Sequence, residues 1–380
     1  MYRHGDHFDI RIRLADGRGK PVHLAPHIGE TEARKLAAEA SALAVAEGAT
    51  REPRPSSGET VDAWAKRWTA DRVTRGIATA REALGSWRKW ITPLIGDLPI
   101  ACIEREDVER VVDRLDDAVR DGVIRAPTAI RAWATLKAAF RDAQRAKNRA
   151  LRVRLDNPTE GVLGPDAGPE RSKPWLYPCE LGALTACTRV PLRWRRTFVL
   201  ATYLYLRAGE LAELAVEDVD LVGGVVLVHQ ARKSRHAATA PKTGPTKTKL
   251  TRRVPIERTL RPLLTTLIAE ATAEGRHQLI RMPPLQDLSN QLRRYLGWAG
   301  VNRAALFAKD ATRAPITFHG LRATGLTWRA IRGDDALKIQ RAAGHTSLDT
   351  TQRYIREAEV VGREIGVPFP DLPHSNLSVD

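Results

Sequence analysis

Cysteine is scarce in this chain: Cys102, Cys179 and Cys187 are its only three, and they show no metal-ligand or disulfide spacing. A disulfide framework is therefore excluded, and a reducing compartment is expected. Long hydrophobic runs are missing as well, since charged residues break each apolar stretch within a few positions. No membrane span and no signal peptide is expected, which points to a cytoplasmic protein. Internal repeats are absent. A third lack is local: from Ala231 to Ile256 there is no Asp or Glu, while eight Lys and Arg fall there.

The 380 residues are enough for two or three domains, and 43 % hydrophobic residues suffice for real cores. A net charge of +16 implies a polyanionic partner. The excess is not spread evenly. Residues 1–50 hold seven basic and seven acidic side chains, whereas residues 172–380 hold 31 and 19.

Along the chain, Phe8, Ile10, Ile12 and Leu14 alternate with Asp9, Arg11 and Arg13, the pattern of a half-buried strand. Ala15 to Lys20 turns it, and Val22 and Leu24 start a return strand. A helix is expected over 30–47, with Thr31 as a candidate N-cap. Arg51-Glu-Pro-Arg-Pro-Ser-Ser-Gly58 reads as a linker. Helical spacing then governs 61–71, 78–94, 105–120 and 128–147, with Gly96-Asp-Leu-Pro99 as a loop. Trp64, Trp68, Trp87, Trp90 and Trp133 fall at core spacing. After a second Pro-bearing linker come helices near 178–189 and 192–205. Strands are expected near 224–230 and 251–256, with Val225 to Val228 covered on both faces. Helices over 257–273 and 284–299 follow, then a helical run to Ile365 and an extended tail.

Six residues stand out chemically: Arg207, Lys247, His319, Arg322, His345 and Tyr354. A phenol has a pKa of about 10, so it attacks poorly near neutrality unless a base takes its proton. Phosphate under attack spreads charge over its non-bridging oxygens, which paired guanidinium donors neutralise. A departing alkoxide needs a proton, and a lysine among other cations can give one. Each residue alone has a plain structural reading, and two histidines could instead suggest zinc. Their long spacing and the lack of nearby cysteines argue against zinc.

Four ordered segments carry a resemblance: Leu206-Arg-Ala-Gly-Glu-Leu-Ala-Glu-Leu214, Thr246 to Pro255, Thr317-Phe-His-Gly-Leu-Arg322, and Ala343-Gly-His-Thr-Ser-Leu-Asp-Thr-Thr-Gln-Arg-Tyr354. Together they resemble the tyrosine recombinase, or phage integrase, family. The resemblance implies that Arg207 and Arg322 bind the scissile phosphate and that His319 acts as acid or base. It implies that His345 bonds the phosphate and that Glu210 orients the site. Lys247, in a β-hairpin turn, would protonate the leaving 5′ oxygen, with Lys242 as a weaker competitor. Tyr354 would form a 3′-phosphotyrosyl bond without ATP, metal or other cofactor.

The fold class implied is multidomain, mainly α with small β-sheets (α+β). Its parts would be an arm-binding-like β-sheet and helix module over 1–50, a linker over 51–58 and a helical, SAM-like core-binding domain over 59–157. A linker over 158–173, a mixed α/β catalytic domain over 174–365 and a tail over 366–380 complete it. The neutral charge of 1–50 suits a structural or protein-contact module as well as a DNA-binding one.

The expected function is site-specific recombination for a phage or other mobile element, in a bacterial or phage-encoded, nucleoid-associated protein. Double-stranded DNA sites, a tetramer on paired sites and DNA-bending accessory proteins are the expected partners. A non-catalytic DNA-binding protein and a type IB topoisomerase-like enzyme on the same scaffold are the alternatives. Val360, Val361, Ile365, Val367 and Phe369 form an apolar end that would either dock on a neighbouring protomer or fold back on its own domain.

Overall fold

The computed structural model describes residues 2–4, 7–13, 19–24, 28–49, 58–77, 79–232, 243–246, 251–361, 365–373 and 377. The chain divides into two compact units, Met1–Gly168 and Pro169–Asp380. No helix among the described residues is long and apolar enough to cross a membrane.

The first unit begins with an antiparallel sheet of β1 (Tyr2–His4), β2 (His7–Arg13) and β3 (Gly19–His23), in the order β1-β2-β3. Ile10 pairs with Val22, and the register accords with the alternation of the sequence. The strand β1 was not anticipated. Helix α1 (Glu30–Ala49) lies against β2 and starts at Glu30, one residue ahead of the expected Thr31 cap. The expected turn and first linker fall largely on 14–18 and 51–57, outside the described residues.

A helical bundle follows: α2 (Val61–Thr74), α3 (Ala80–Trp90), α4 (Thr92–Ile95), α5 (Arg105–Arg120) and α6 (Ala126–Arg145). Thr60 caps α2 by accepting from the Ala63 amide at 3.2 Å. The helix expected over 78–94 breaks at Ile91, so its end is the separate turn α4. All five tryptophans are buried. Three indole N–H groups find acceptors: Leu151 O for Trp64, Asp142 for Trp68 and Asp62 for Trp87. Burying these large rings is thereby achieved without stranding a donor.

The second unit carries α7 (Pro178–Ala186), α8 (Leu192–Tyr203) and α9 (Ala208–Glu213). Then come β4 (Val219–Asp220), β5 (Val225–Val228), β6 (Gln230–Arg232), β7 (Thr243–Pro245) and β8 (Arg252–Pro255). Helices α10 (Arg261–Ala273), α11 (Leu288–Trp298), α12 (Phe318–Arg332), α13 (Ala336–Ala343) and α14 (Leu348–Val360) close the order. The strands form two antiparallel sheets, β4-β5-β8 and β6-β7. Strand β5 is central, yet only Val226 and Val228 are buried, while Val225 and Leu227 are half-covered. Its apolar run therefore reflects one deep face and one partly covered face, a correction to the expectation of two buried faces.

Helix α12 is the hub. Every residue from Gly320 to Arg329 is buried, although the sequence reads as amphipathic. Its polar side chains are paired: Thr324 accepts from the Leu176 amide at 2.9 Å, and Trp328 donates to Leu176 O at 2.9 Å. Gly325 permits the crossing of α8, since a Cβ there would sit 2.0 Å from Thr202 O.

The tail is extended but not free. Ile365, Phe369 and Leu377 are buried in the core of their own unit, where the Phe369 ring meets Tyr203 and Trp328 edge-on at 5.4 Å. Arg196 Nε donates to Leu377 O at 2.8 Å. Of the apolar end, only Val360 and Val367 remain strongly exposed, at 84 % and 77 %. Ile365 and Phe369 thus fold back on their own unit.

Candidate active site

The starts of α9 and α12, the turn after α13 and helix α14 carry five of the six predicted residues, the sixth, Lys247, lying outside the described residues. The buried run Leu204-Tyr205-Leu206 leaves α8 and delivers Arg207 to the N-cap of α9. Glu210, one turn on, reaches back so that Oε2 accepts the Arg207 amide at 2.9 Å and Oε1 accepts Arg207 Nη1 at 2.8 Å. This is the acidic half of a capping box, an acid at the third helical position taking the N-cap amide, while the donor-only Arg207 side chain returns no bond to the helix. From β8, Arg252 adds Nη1 and Nη2 to the same carboxylate at 3.1 and 2.7 Å. Arg322 Nη1 lies 3.9 Å from it. One buried carboxylate therefore indexes three guanidinium groups.

Arg322 comes from the first turns of α12, three residues after His319, so both side chains share one end of the hub helix. Only 1 % of Arg322 is exposed. Its Nη1 donates to Tyr205 O at 2.7 Å, and its Nη2 donates to Ala343 O. Arg252 Nε donates to Ala342 O at 2.9 Å. Two arginines thus satisfy the last carbonyls of α13, where a helix end leaves acceptors open and favours positive charge. Gly344 then turns the chain with φ of 67°, and a Cβ there would sit 3.0 Å from Arg252 Cδ. Only glycine meets both demands.

That turn presents His345. Its Nδ1 lies 2.9 Å from Thr351 Oγ1, and its ring lies nearly parallel to Tyr354 with centroids 5.9 Å apart. Thr351 and Tyr354 are i,i+3 on α14, so the helix fixes the histidine and the phenol together. Trp175 Nε1 donates to Glu357 at 3.1 Å and pins the same helix one turn later.

The sequence profile of the phage integrase family matches residues 175–360, the stretch that contains all of these groups. That stretch belongs to the phage integrase family. Among curated proteins it is 27 % identical over 199 residues to a putative prophage phiRv2 integrase of Mycobacterium tuberculosis, covering 52 % of each chain. It is 32 % identical over 207 residues to tyrosine recombinase XerD of Xanthomonas axonopodis, covering 53 % of this chain and 64 % of that one. The chain spans about half the length of the first of these relatives. The fold is similar to that of lambda integrase in a tetramer bound to a Holliday junction, with TM-score 0.59 and 18 % identity over 96 % of this chain and 97 % of that one. It is also similar to the Tn1549 transposon integrase in complex with circular intermediate DNA, with TM-score 0.58 and 18 % identity over 77 % and 94 %.

Electrostatics in this integrase-family site follow from burial and crowding. Burial alone would raise the Glu210 carboxyl, but hydrogen bonds and charge from Arg252 and Arg207 outweigh it and hold the pKa at about 2. Burial, followed by Arg207, lowers Arg322 to about 9, which still leaves a cation at neutral pH. For His345, burial and then Arg322, Arg207 and Arg252 bring the pKa down to about 4. His319 moves the same way by burial, Arg322, Arg207 and Lys173, although its solvent-exposed edge tempers the desolvation. Burial raises the Tyr354 phenol while Arg322, Arg353 and Arg207 oppose it. The set thus pairs a phenol that resists ionising with imidazoles that prefer to be neutral.

Lys247 and its competitor Lys242 lie outside the described residues. In the chain Lys242 falls between β6 and β7 and Lys247 between β7 and β8; β6 and β7 pair antiparallel and are fastened to α9, where Arg232 Nε and Thr243 Oγ1 donate to Glu213 at 2.7 and 2.8 Å. Sequence reasoning missed Arg252. Strand parity offered the signal, because Arg252 and Val254 share the buried face of β8 while Arg253 and Pro255 are exposed.

Proposed function

We propose that the protein is a site-specific DNA recombinase of the integrase type that cuts and rejoins DNA through a 3′-phosphotyrosyl intermediate. The observation that carries this reading is the stacking of His345 on Tyr354, with ring centroids 5.9 Å apart, in a crowd of cations where Arg322 and Arg207 act on both rings and His319 lies close enough to His345 to act on it. Arg207 and Arg322 would take the non-bridging oxygens of the scissile phosphate, as fixed donors that need no reorganisation. His345 would bond the same group. Tyr354 Oη attacks phosphorus, and its proton passes to the neutral imidazole of His319. The bond from phosphorus to the 5′ oxygen breaks, and Lys247 gives that oxygen a proton. The phosphotyrosyl ester keeps the bond energy, so the 5′ hydroxyl of another strand can reverse the step and complete exchange.

Glu210 and Arg252 touch no DNA in this scheme and serve to position the arginines. The substrate would be double-stranded DNA carrying attachment or recombination sites of a phage or other mobile element. Four protomers would act on two paired duplexes, in the cytoplasm, with DNA-bending proteins as helpers. The lambda integrase tetramer on a Holliday junction, a structural relative, supports that assembly.

The test is a plasmid carrying two copies of the site, chosen from direct repeats that flank the gene, incubated with purified protein in EDTA. Recombinant products are expected, because side chains supply every charge needed at the phosphate. Relaxed plasmid without recombinants would indicate a topoisomerase, and binding without either product a non-catalytic DNA-binding protein.

A further inference from the structure

Tyr205 is strained at the place where the site is most constrained. It has φ of 38°, in the left-handed region, and is fully buried. A tyrosine there costs free energy that the surroundings must offset. Helix α12 grips it at both ends. The carbonyl accepts from Arg322 Nη1 at 2.7 Å, and the phenol oxygen accepts from Arg329 Nη1 at 3.0 Å. Arg322 and Arg329 are seven residues apart, two turns along one helical face. The Arg329 guanidinium also lies 5.6 Å from the Tyr205 ring centroid, within cation–π reach.

Arg329 is itself held. Its Nε donates to Asp334, which also takes Arg332 Nε at 2.8 Å, and Arg332 grips Glu257 with both arms at 2.8 and 3.0 Å. A chain of paired charges therefore runs from Glu257 through Asp334 and Arg329 to the Tyr205 phenol. From there the tyrosine backbone carries it to Arg322. The outer end of the chain, at Arg332, is exposed, and its inner end fixes the carbonyl that aims one arm of Arg322.

We propose that Tyr205 and Arg329 are positioning residues: their contact holds the strained backbone that sets the Arg322 guanidinium at the phosphate. This rests on the reading of Arg322 as a phosphate ligand given above. Misplacing a catalytic group by about 1 Å can cost on the order of 10²-fold in rate. Losing the Arg329 contact should therefore slow cleavage while leaving DNA affinity nearly unchanged.

The readout that a merely structural role would not move is a substrate with a methylphosphonate at the scissile position. There one charged oxygen is replaced by a neutral methyl group, so less is asked of Arg322. Cleavage by full-length protein would be compared on phosphate and methylphosphonate DNA for wild type, Arg322→Ala, Arg329→Met and Tyr205→Phe. Tyr205→Phe keeps the ring and removes only the acceptor, which covers the case that Arg329→Met fails to fold. The brace predicts a loss of about 10- to 100-fold on phosphate DNA for Arg329→Met and less for Tyr205→Phe, shrinking to about threefold or less on methylphosphonate. Relief for Arg322→Ala with none for Arg329→Met or Tyr205→Phe overturns the brace alone. No relief for Arg322→Ala overturns the phosphate-ligand reading and the brace with it.

Discussion

Arg252 holds Glu210 with both η nitrogens, at 3.1 and 2.7 Å, in a pocket where only 2 % of Glu210 is exposed. A buried carboxylate with this many donors is stable only while they remain. Removing one partner of a buried pair typically costs about 3–5 kcal/mol, because the other charge is left desolvated. Arg252→Ala should lose stability of that order in urea unfolding of the second unit. A change below about 1 kcal/mol, the range of a surface pair, would show that the clamp contributes little.

The histidines predict an acid response. His345 has a folded pKa of about 4 against an ordinary value of 6.5, lowered first by burial and then by Arg322, Arg207 and Arg252. A depressed folded pKa means that the unfolded chain binds the proton more readily. The stability tied to neutral His345 is therefore complete above pH 6.5 and lost as pH falls towards 4. His319 adds in the same direction. In DNA-free protein, NMR titration should find both imidazoles still neutral at about pH 6, below the ordinary midpoint. Rings already protonated there would contradict the crowding by Arg322 and Arg207.

The role of Lys247 is tested through the leaving group. A 5′-phosphorothiolate leaving group departs without a proton, so Lys247→Ala should slow cleavage of ordinary DNA far more than of this substrate. General-acid catalysis is worth about 10²–10⁴-fold. Equal losses on both substrates, or selective rescue of Lys242→Ala instead, would move the role away from Lys247.

The buried end of the chain makes a different prediction. Phe369 packs against Tyr203, Trp328 and Arg332 inside its own unit. Phe369→Ala should cost about 3–5 kcal/mol in equilibrium denaturation at any protein concentration. A loss that appears only when two sites are paired on DNA would return this segment to a docking role between protomers.

Much of the site was legible because its motifs are local. His319 and Arg322 share a helical face, Gly344 ends a helix, and Tyr354 sits in an amphipathic run, all readable from spacing. Tryptophan spacing likewise gave the core of the first unit. What was hidden depends on partners far apart in the chain. Arg252 looks like one basic residue among eight until β8 places it beside Glu210, 42 positions earlier. Tyr205 reads as an ordinary core aromatic, since no pattern announces a left-handed backbone. The amphipathic look of α12 concealed burial on all sides, because its threonines and arginines are satisfied by Leu176, Tyr205 and Ala343. Where the extended tail would dock stayed open because its anchors, Arg196 and Tyr203, lie far back in α8.

The most direct measurement concerns Tyr354. Wild-type protein incubated with a nicked suicide substrate carrying its site should become covalently attached to DNA, visible as a slow-migrating band in a denaturing gel. Tyr354→Phe removes one oxygen from a half-buried ring, so it should bind the duplex like wild type and form no adduct. An adduct of normal yield from Tyr354→Phe would falsify the assignment of the nucleophile.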